Sequence, residues 1–275
     1  MSGSVRPMRP ADLPFAEDLV RQAGWNQTPA DWQNFLAAAE VEVFVAEGIR
    51  GCAGTISIVH FGRQLSWIGM LLVDPSFRKQ GIGTLLLDHA LSVCKEHGSA
   101  CVGLDATPAG RPLYEKKGFS LSATLERWSG RAPFFADRLP RIAEHDWKDI
   151  ARFDAERFGA DRLFWLRCLE RMGPTALLRR NGLVTGFGMA RPGIRAWYLG
   201  PIVAVSELAA SKVAESLLAD LHPHKIIWDC QSASSQLPRG LGLKAERPLY
   251  RMLLLGTDAV NTSRDIFAIS DPAMG

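Results

Sequence analysis

Apolar positions recur at helical spacing over residues 10–24 and 29–40, where Leu13, Phe15, Ala16, Leu19 and Val20 offer one face. Runs rich in Val, Ile and Phe at 41–47, 50–60 and 64–73 predict strands. A broad stripe of Leu85, Leu86, Ala90, Leu91 and Cys94 predicts a helix over 82–97, with Gly98 as its stop. Residues 100–106 read as a short buried strand, 109–117 as a helix and 119–128 as a strand. Mixed strands followed by a strand–helix–strand unit predict an α/β sheet with a parallel segment.

Residues 129–140 break this pattern and read as a linker, after which the order restarts. Arg9-Pro10-Ala11-Asp12 has a counterpart in Arg141-Ile142-Ala143-Glu144, the strand 67–73 in 197–203, and Gly118-Phe119 in Gly242-Leu243. The reading is a degenerate tandem repeat with units 1–130 and 138–256 and a tail at 257–275; chance similarity between two ordinary α/β domains is the alternative. Asn181-Gly182 between apolar runs predicts a hairpin turn, and Pro201 an interruption of the second unit's strand.

Composition adds few constraints. At 275 residues with 47% hydrophobic content, two domains can each bury a core. A net charge of +3 gives no argument for nucleic acid but suits a polyanionic cosubstrate. Five scattered cysteines without a CxxC predict reduced thiols in a cytoplasmic protein. Neither a metal-ligand spacing nor a membrane-spanning run is visible, so no metal and no membrane partner is expected.

The candidate chemistry lies in Leu71-Leu72-Val73-Asp74-Pro75-Ser76-Phe77-Arg78-Lys79-Gln80-Gly81-Ile82-Gly83-Thr84. A strand runs into a Pro-initiated turn, two basic residues, and two glycines at a helix start. Open N–H groups, the positive end of the helix dipole and the absence of glycine side chains together favour a phosphate. Leu86 stands where a dinucleotide fingerprint needs its third glycine, and no P-loop pattern is present. Glycines that only cap the helix remain the structural alternative.

Arg78-x-x-Gly81-x-Gly83 after this strand resembles the acyl-CoA signature of the GNAT superfamily of N-acyltransferases, and Leu113-Tyr114-Glu115-Lys116-Lys117-Gly118-Phe119 is similar to its L-Y-x-x-x-G-F segment. The resemblance implies two GNAT-like α/β domains, each a mixed, mostly antiparallel central sheet flanked by helices, with a splayed parallel pair at the coenzyme cleft. It implies that the amides of Arg78 to Gly83 hold the pyrophosphate of acetyl-CoA, that Leu71 and Val73 bond the pantetheine arm, and that Gly69 eases the splay. Leu72, Lys79, Gln80, Ile82 and Thr84 complete the expected coenzyme set. The second unit has neither a basic turn nor a G-x-G after its strand, so it is expected to be inactive and to wall the acceptor pocket, with Trp228, Asp229, Tyr198 and Glu207 as wall candidates.

The implied reaction is direct attack by a primary amine of a small molecule on the thioester. Tyr114 matches the position of the acid that protonates the thiolate; a packed aromatic is the alternative. Asp105 is the candidate base, with a strand-end cap as the bland reading, and His60 and Glu47 are weaker candidates. Thr107 replaces an Asn that the family often uses to contact the coenzyme. Trp25, Asn26 and Gln27 sit where the family builds its acceptor pocket. Rival readings are a non-catalytic CoA-responsive module, an acyltransferase using another acyl-CoA, and a protein binding a different phosphate ligand. The expected partners are acetyl-CoA and a small amine, with no nucleic acid, in a monomer or homodimer.

Overall fold

The structure, a computed structural model, describes residues 4–49, 51–254 and 263–275. The first half comprises β1 (Ser4–Pro7), α1 (Leu13–Ala23), α2 (Pro29–Ala37), β2 (Val41–Gly48), β3 (Gly51–Phe61), β4 (Leu65–Val73), α3 (Ile82–His97), β5 (Cys101–Ala106), α4 (Arg111–Glu115) and β6 (Ser120–Arg131). The second comprises α5 (Trp147–Phe158), α6 (Leu163–Glu170), β7 (Thr175–Arg180), β8 (Leu183–Arg191), β9 (Trp197–Ala204), α7 (Glu207–Leu221), β10 (Lys225–Gln231), α8 (Gln236–Gly240), β11 (Lys244–Leu254) and β12 (Ile266–Ala268).

Local chemistry sets the element ends. Helix α1 starts later than the apolar pattern predicts, because Pro10–Asp12 form a 3-10 turn in which Asp12 accepts 2.7 and 2.9 Å bonds from Arg6. It stops at Gly24, whose φ of +66° suits a residue without Cβ. Thr28 caps α2, while the Asp31 carboxylate accepts from the Thr28 amide at 2.6 Å. Strand β6 runs three residues into the expected linker, because Arg131 pairs with Lys225 of β10. Strand β9 also continues through Pro201, its pairing with β8 shifting register between Gly188 and Ala190. Pro201 therefore sits at an irregularity instead of a break.

The strands form one sheet in the order β1-β2-β3-β4-β5-β11-β6-β10-β9-β8-β7, with β12 paired to β9. The halves exchange their last long strands: β11 lies between β5 and β6, and β6 lies between β11 and β10. Each half therefore completes the other's sheet.

Side chains alternate along β3, with Ile56 and Ile58 facing one core and Val59 and Phe61 the other. On one face α3 buries Ile82, Leu86, Leu87, Ala90 and Cys94, and α7 covers the second half with Ala210, Val213, Leu217 and Leu218. On the opposite face, Leu19 of α1 and Trp32 and Phe35 of α2 share a core with Phe158, Trp165 and Leu166 of α5 and α6. At roughly 1.5–3 kcal/mol for each large apolar side chain, this shared layer ties the halves together. Buried ion pairs reinforce it: Arg191 bonds both Asp31, from α2, and Asp271.

Candidate active site

Strands β4 and β5 run parallel but pair only at Leu65–Cys101, Ser66–Val102 and Trp67–Gly103. Beyond Trp67 they separate. A bulge in β4 contributes to the parting: on β3, Thr55 faces Leu72 and Ser57 faces Gly69, so Met70 and Leu71 both oppose Ile56. The strain falls on Met70, at φ +49°. Gly69 flanks this bulge and has a second role. A Cβ there would meet the carbonyl oxygen of Ala273 at 2.6 Å, so glycine admits the segment 271–275 against the strand.

The parted strands open a cleft of about 1060 Å³, lined by Leu71, Leu72, Val73, Arg78, Lys79, Gly81, Ile82, Gly83 and Thr84. Asp74 fixes the turn after β4 by accepting a 2.8 Å bond from the Ser76 amide. Lys79 and Gly81 adopt positive φ, +61° and +86°, so the backbone turns sharply before α3. As a result, the amides of residues 79–84 donate to no acceptor among the described residues. Six consecutive open amides at a helix start form an anion cradle. A Cβ at Gly81 would meet nothing within 4 Å, which leaves the approach to the cradle clear. The Arg78 side chain donates to the Val73 carbonyl at 3.2 Å. Gln80 turns away and donates to the Ser76 carbonyl at 2.9 Å, so its side chain lies outside the cleft lining.

Deeper in, the cleft meets a recess of about 50 Å³, and Trp25, Leu71, Asp105, Thr107, Tyr114, Arg127 and Arg247 line both. Tyr114 is buried on α4, and its hydroxyl donates to no group among the described residues. Burial pushes this phenol well above its ordinary value of 10. It is therefore a retained, unassigned proton donor facing the cavity.

The Asp105 side chain is buried and accepts bonds of 2.9 and 2.7 Å from Arg251 on β11. Burial raises its carboxyl pKa and the guanidinium opposes the shift. Thr107 lines the cleft and accepts from the Gly110 amide at 3.2 Å. His60 lies elsewhere, hydrogen-bonded to Ser66 and Glu42 and stacked on His97, and Glu47 accepts from Arg6.

The α1–α2 turn reaches the recess as expected, but two of its side chains also join the halves. Asn26 donates to the Ala196 carbonyl at 3.0 Å and accepts from the Arg195 and Ala196 amides. Gln27 lines the recess and donates to Asp271, while its buried Oε1 has no partner among the described residues. Trp25 lines both cavities. From the second half, Tyr198 lines the recess and donates to Asp229, which also binds Arg127 at 2.8 and 2.6 Å. Trp228 is buried and donates to the Phe267 carbonyl at 2.9 Å, and Glu207 is exposed at the start of α7. Sequence reasoning missed Arg127, Arg247 and Asp271. Only the placement of β6 beside β11 could have found the two arginines.

Two acetyltransferase (GNAT) domain models match the chain, over residues 39–121 and 150–268. The uncharacterized N-acetyltransferase YitH of Bacillus subtilis is 27% identical over 209 residues, covering 73% of each chain. A proposed acetyltransferase from Pyrococcus horikoshii superposes with a TM-score of 0.83 at 20% identity, covering 99% of this chain and 96% of that one. A tandem GNAT protein from the clavulanic acid biosynthesis pathway gives 0.68 at 13% identity, over 92% and 98%. With both halves matched, a splayed parallel pair and an anion cradle after β4, the chain belongs to the GNAT acetyltransferase family and carries two such domains.

Proposed function

We propose that the protein transfers the acetyl group of acetyl-CoA to a primary amine of a small molecule, using the cleft of the first half. The observation that carries this reading is the run of open amides at 79–84, five of whose residues line the same cavity as Tyr114 with its undonated hydroxyl. The first suits a pyrophosphate and the second a thiolate leaving group. The separation of β4 from β5 supports the reading further, since freed strand edges can bond the amides of a pantetheine arm.

In this reaction the amine nitrogen forms a bond to the thioester carbonyl carbon and the C–S bond breaks. The Leu71 amide, in the bulge, is the candidate donor to the carbonyl oxygen, and Tyr114 protonates the departing sulfur. One amine proton must leave. Asp105 can take it only through water, because both carboxylate oxygens are already held by Arg251. Residues 1–130 and 138–256 serve as catalytic and supporting units, with their last long strands exchanged. Five free cysteines fit a cytoplasmic setting.

Calorimetric titration with acetyl-CoA tests the reading, comparing the native chain with a Gly81→Trp, Gly83→Trp double variant. Micromolar binding by the native chain, lost in a folded variant, supports it. Absence of binding by the native chain overturns it.

A further inference from the structure

Four charged side chains border the recess: Asp105, Asp271, Arg127 and Arg247. Three are held by buried partners. Asp105 is bound by Arg251, Arg127 by Asp229, and Asp271 by Arg191, which Asp31 shares. The fourth is different. Arg247 makes no hydrogen bond or ion pair among the described residues, although it is half-buried and burial lowers its pKa. A desolvated guanidinium with all its donors unspent is costly unless something binds it.

Its position indicates what binds. On β11, Tyr250 pairs with Ala106, the last residue of β5, and Arg247 lies three residues earlier. It therefore lies about 10 Å past the end of β5, where the cleft meets the recess, beside its cross-strand partner Arg127. Trp25 and Tyr114 border the same space. The anion cradle at 79–84 belongs to the β4–α3 turn, a different element, so the pyrophosphate already has its donors.

We propose that Arg247 docks a carboxylate carried by the acceptor, so that the substrate is an amino acid-like amine bearing both an amino group and a carboxylate. This rests on the acyltransferase reading. The guanidinium fork matches a carboxylate bidentately, and the neighbouring Arg127 adds positive potential while staying tied to Asp229. Because Arg247 comes from the second half, strand exchange makes that half part of substrate selection.

The test measures thiol release from acetyl-CoA with a panel of free amino acids and the matching carboxamides, for the native chain and the Arg247→Gln and Arg247→Lys variants. The native chain should favour the carboxylates by roughly 100-fold in kcat/KM, as expected when a charged hydrogen-bonded pair is lost. Arg247→Gln should bring that ratio close to one, mainly through KM, and Arg247→Lys should restore part of it. Should no panel amine turn over, N-acetyl amino acids titrated into the CoA-bound chain replace the kinetic readout, with their carboxamides as controls. Equal use of acids and amides, an equal loss on both in Arg247→Gln, or no Arg247-dependent binding overturns the proposal while leaving intact acetyl-CoA binding to support the acyltransferase reading. A native preference for succinyl-CoA that vanishes in Arg247→Gln would place the carboxylate on the acyl chain and equally overturn it. Failure of the native chain to bind acetyl-CoA removes both readings at once.

Discussion

The two halves each part a pair of parallel strands, with opposite results. In the first, β4 leaves β5 after three paired positions and the gap stays open as the cleft. In the second, β9 and β10 pair only at Trp197–Ile226 and Tyr198–Ile227, and the chain itself fills the gap. Strand β12 pairs with β9, the Ile269 amide donates to the Asp229 carbonyl at 3.0 Å, and Trp228 donates to the Phe267 carbonyl. The helix starts differ in the same sense. At α3 a glycine turn leaves six amides open beside Arg78 and Lys79, whereas at α7 the Ser206 side chain accepts from the Ala209 amide and Glu207 brings a negative charge. A shared fold thus provides an opening, and the chemistry of one turn and one inserted segment decides whether a ligand can use it.

Removing segment 263–275 should have the largest effect. Ile266, Phe267, Ile269 and Met274 are buried, worth together about 6–12 kcal/mol, comparable with the whole stability of a domain. We expect no cooperative melt by circular dichroism. A truncated chain that folds and binds two equivalents of acetyl-CoA would show that the plug alone separates the halves.

Within the open cleft, Tyr114→Phe should lower kcat by about 100-fold with little change in coenzyme affinity. Since burial raises the phenol above 10, its protonated form dominates below that value and is lost only as pH rises through the higher folded one. The kcat profile of the native chain should therefore show no tyrosine-dependent fall up to pH 10. A descending limb with a midpoint below 10 that disappears in Tyr114→Phe would contradict the assignment.

Gly69→Leu probes the contact between the segment and the active strand. Its Cβ meets Ala273 backbone, which cannot yield cheaply, so we expect about 1–3 kcal/mol of destabilisation in urea unfolding. A neutral result would mean that residues 271–275 move easily away from β4. The smallest effects separate the helix starts. Arg78→Ala should weaken acetyl-CoA by about tenfold, while Ser206→Ala should cost about 1 kcal/mol in stability and leave coenzyme titration unchanged. If Ser206→Ala alters coenzyme binding, the second helix start is not merely structural.

Much of the open half was legible in sequence because its determinants are local. The turn 74–84 needs only its own glycines and basic residues, α3 carries its own stripe and stop, and Tyr114 follows from a short motif. The plugged half was legible in its element order and its missing signature. What escaped is the partnership between distant segments. An alternating strand such as β11 reads the same whether its neighbour is β10 or β5, so neither the exchange nor Arg247's place at the cleft leaves a trace in the residues around it. Asn26 and Gln27 mark the recess, yet nothing nearby announces that they also bond Ala196 and Asp271. Gly69 was legible as easing the distortion of its strand, but its contact with Ala273, 204 residues away, was not.

Strand exchange also sets a schedule for synthesis. The ribosome makes β5 well before β11, the strand that must lie against it and that carries Arg251 to Asp105. At about 5–20 residues per second, the intervening chain takes on the order of ten seconds to emerge. During that interval the nascent first half has its glycine turn before α3 but an unsealed sheet edge and an uncompensated aspartate. Co-translational folding can therefore prepare the cradle early, while a competent enzyme waits for the second half to arrive.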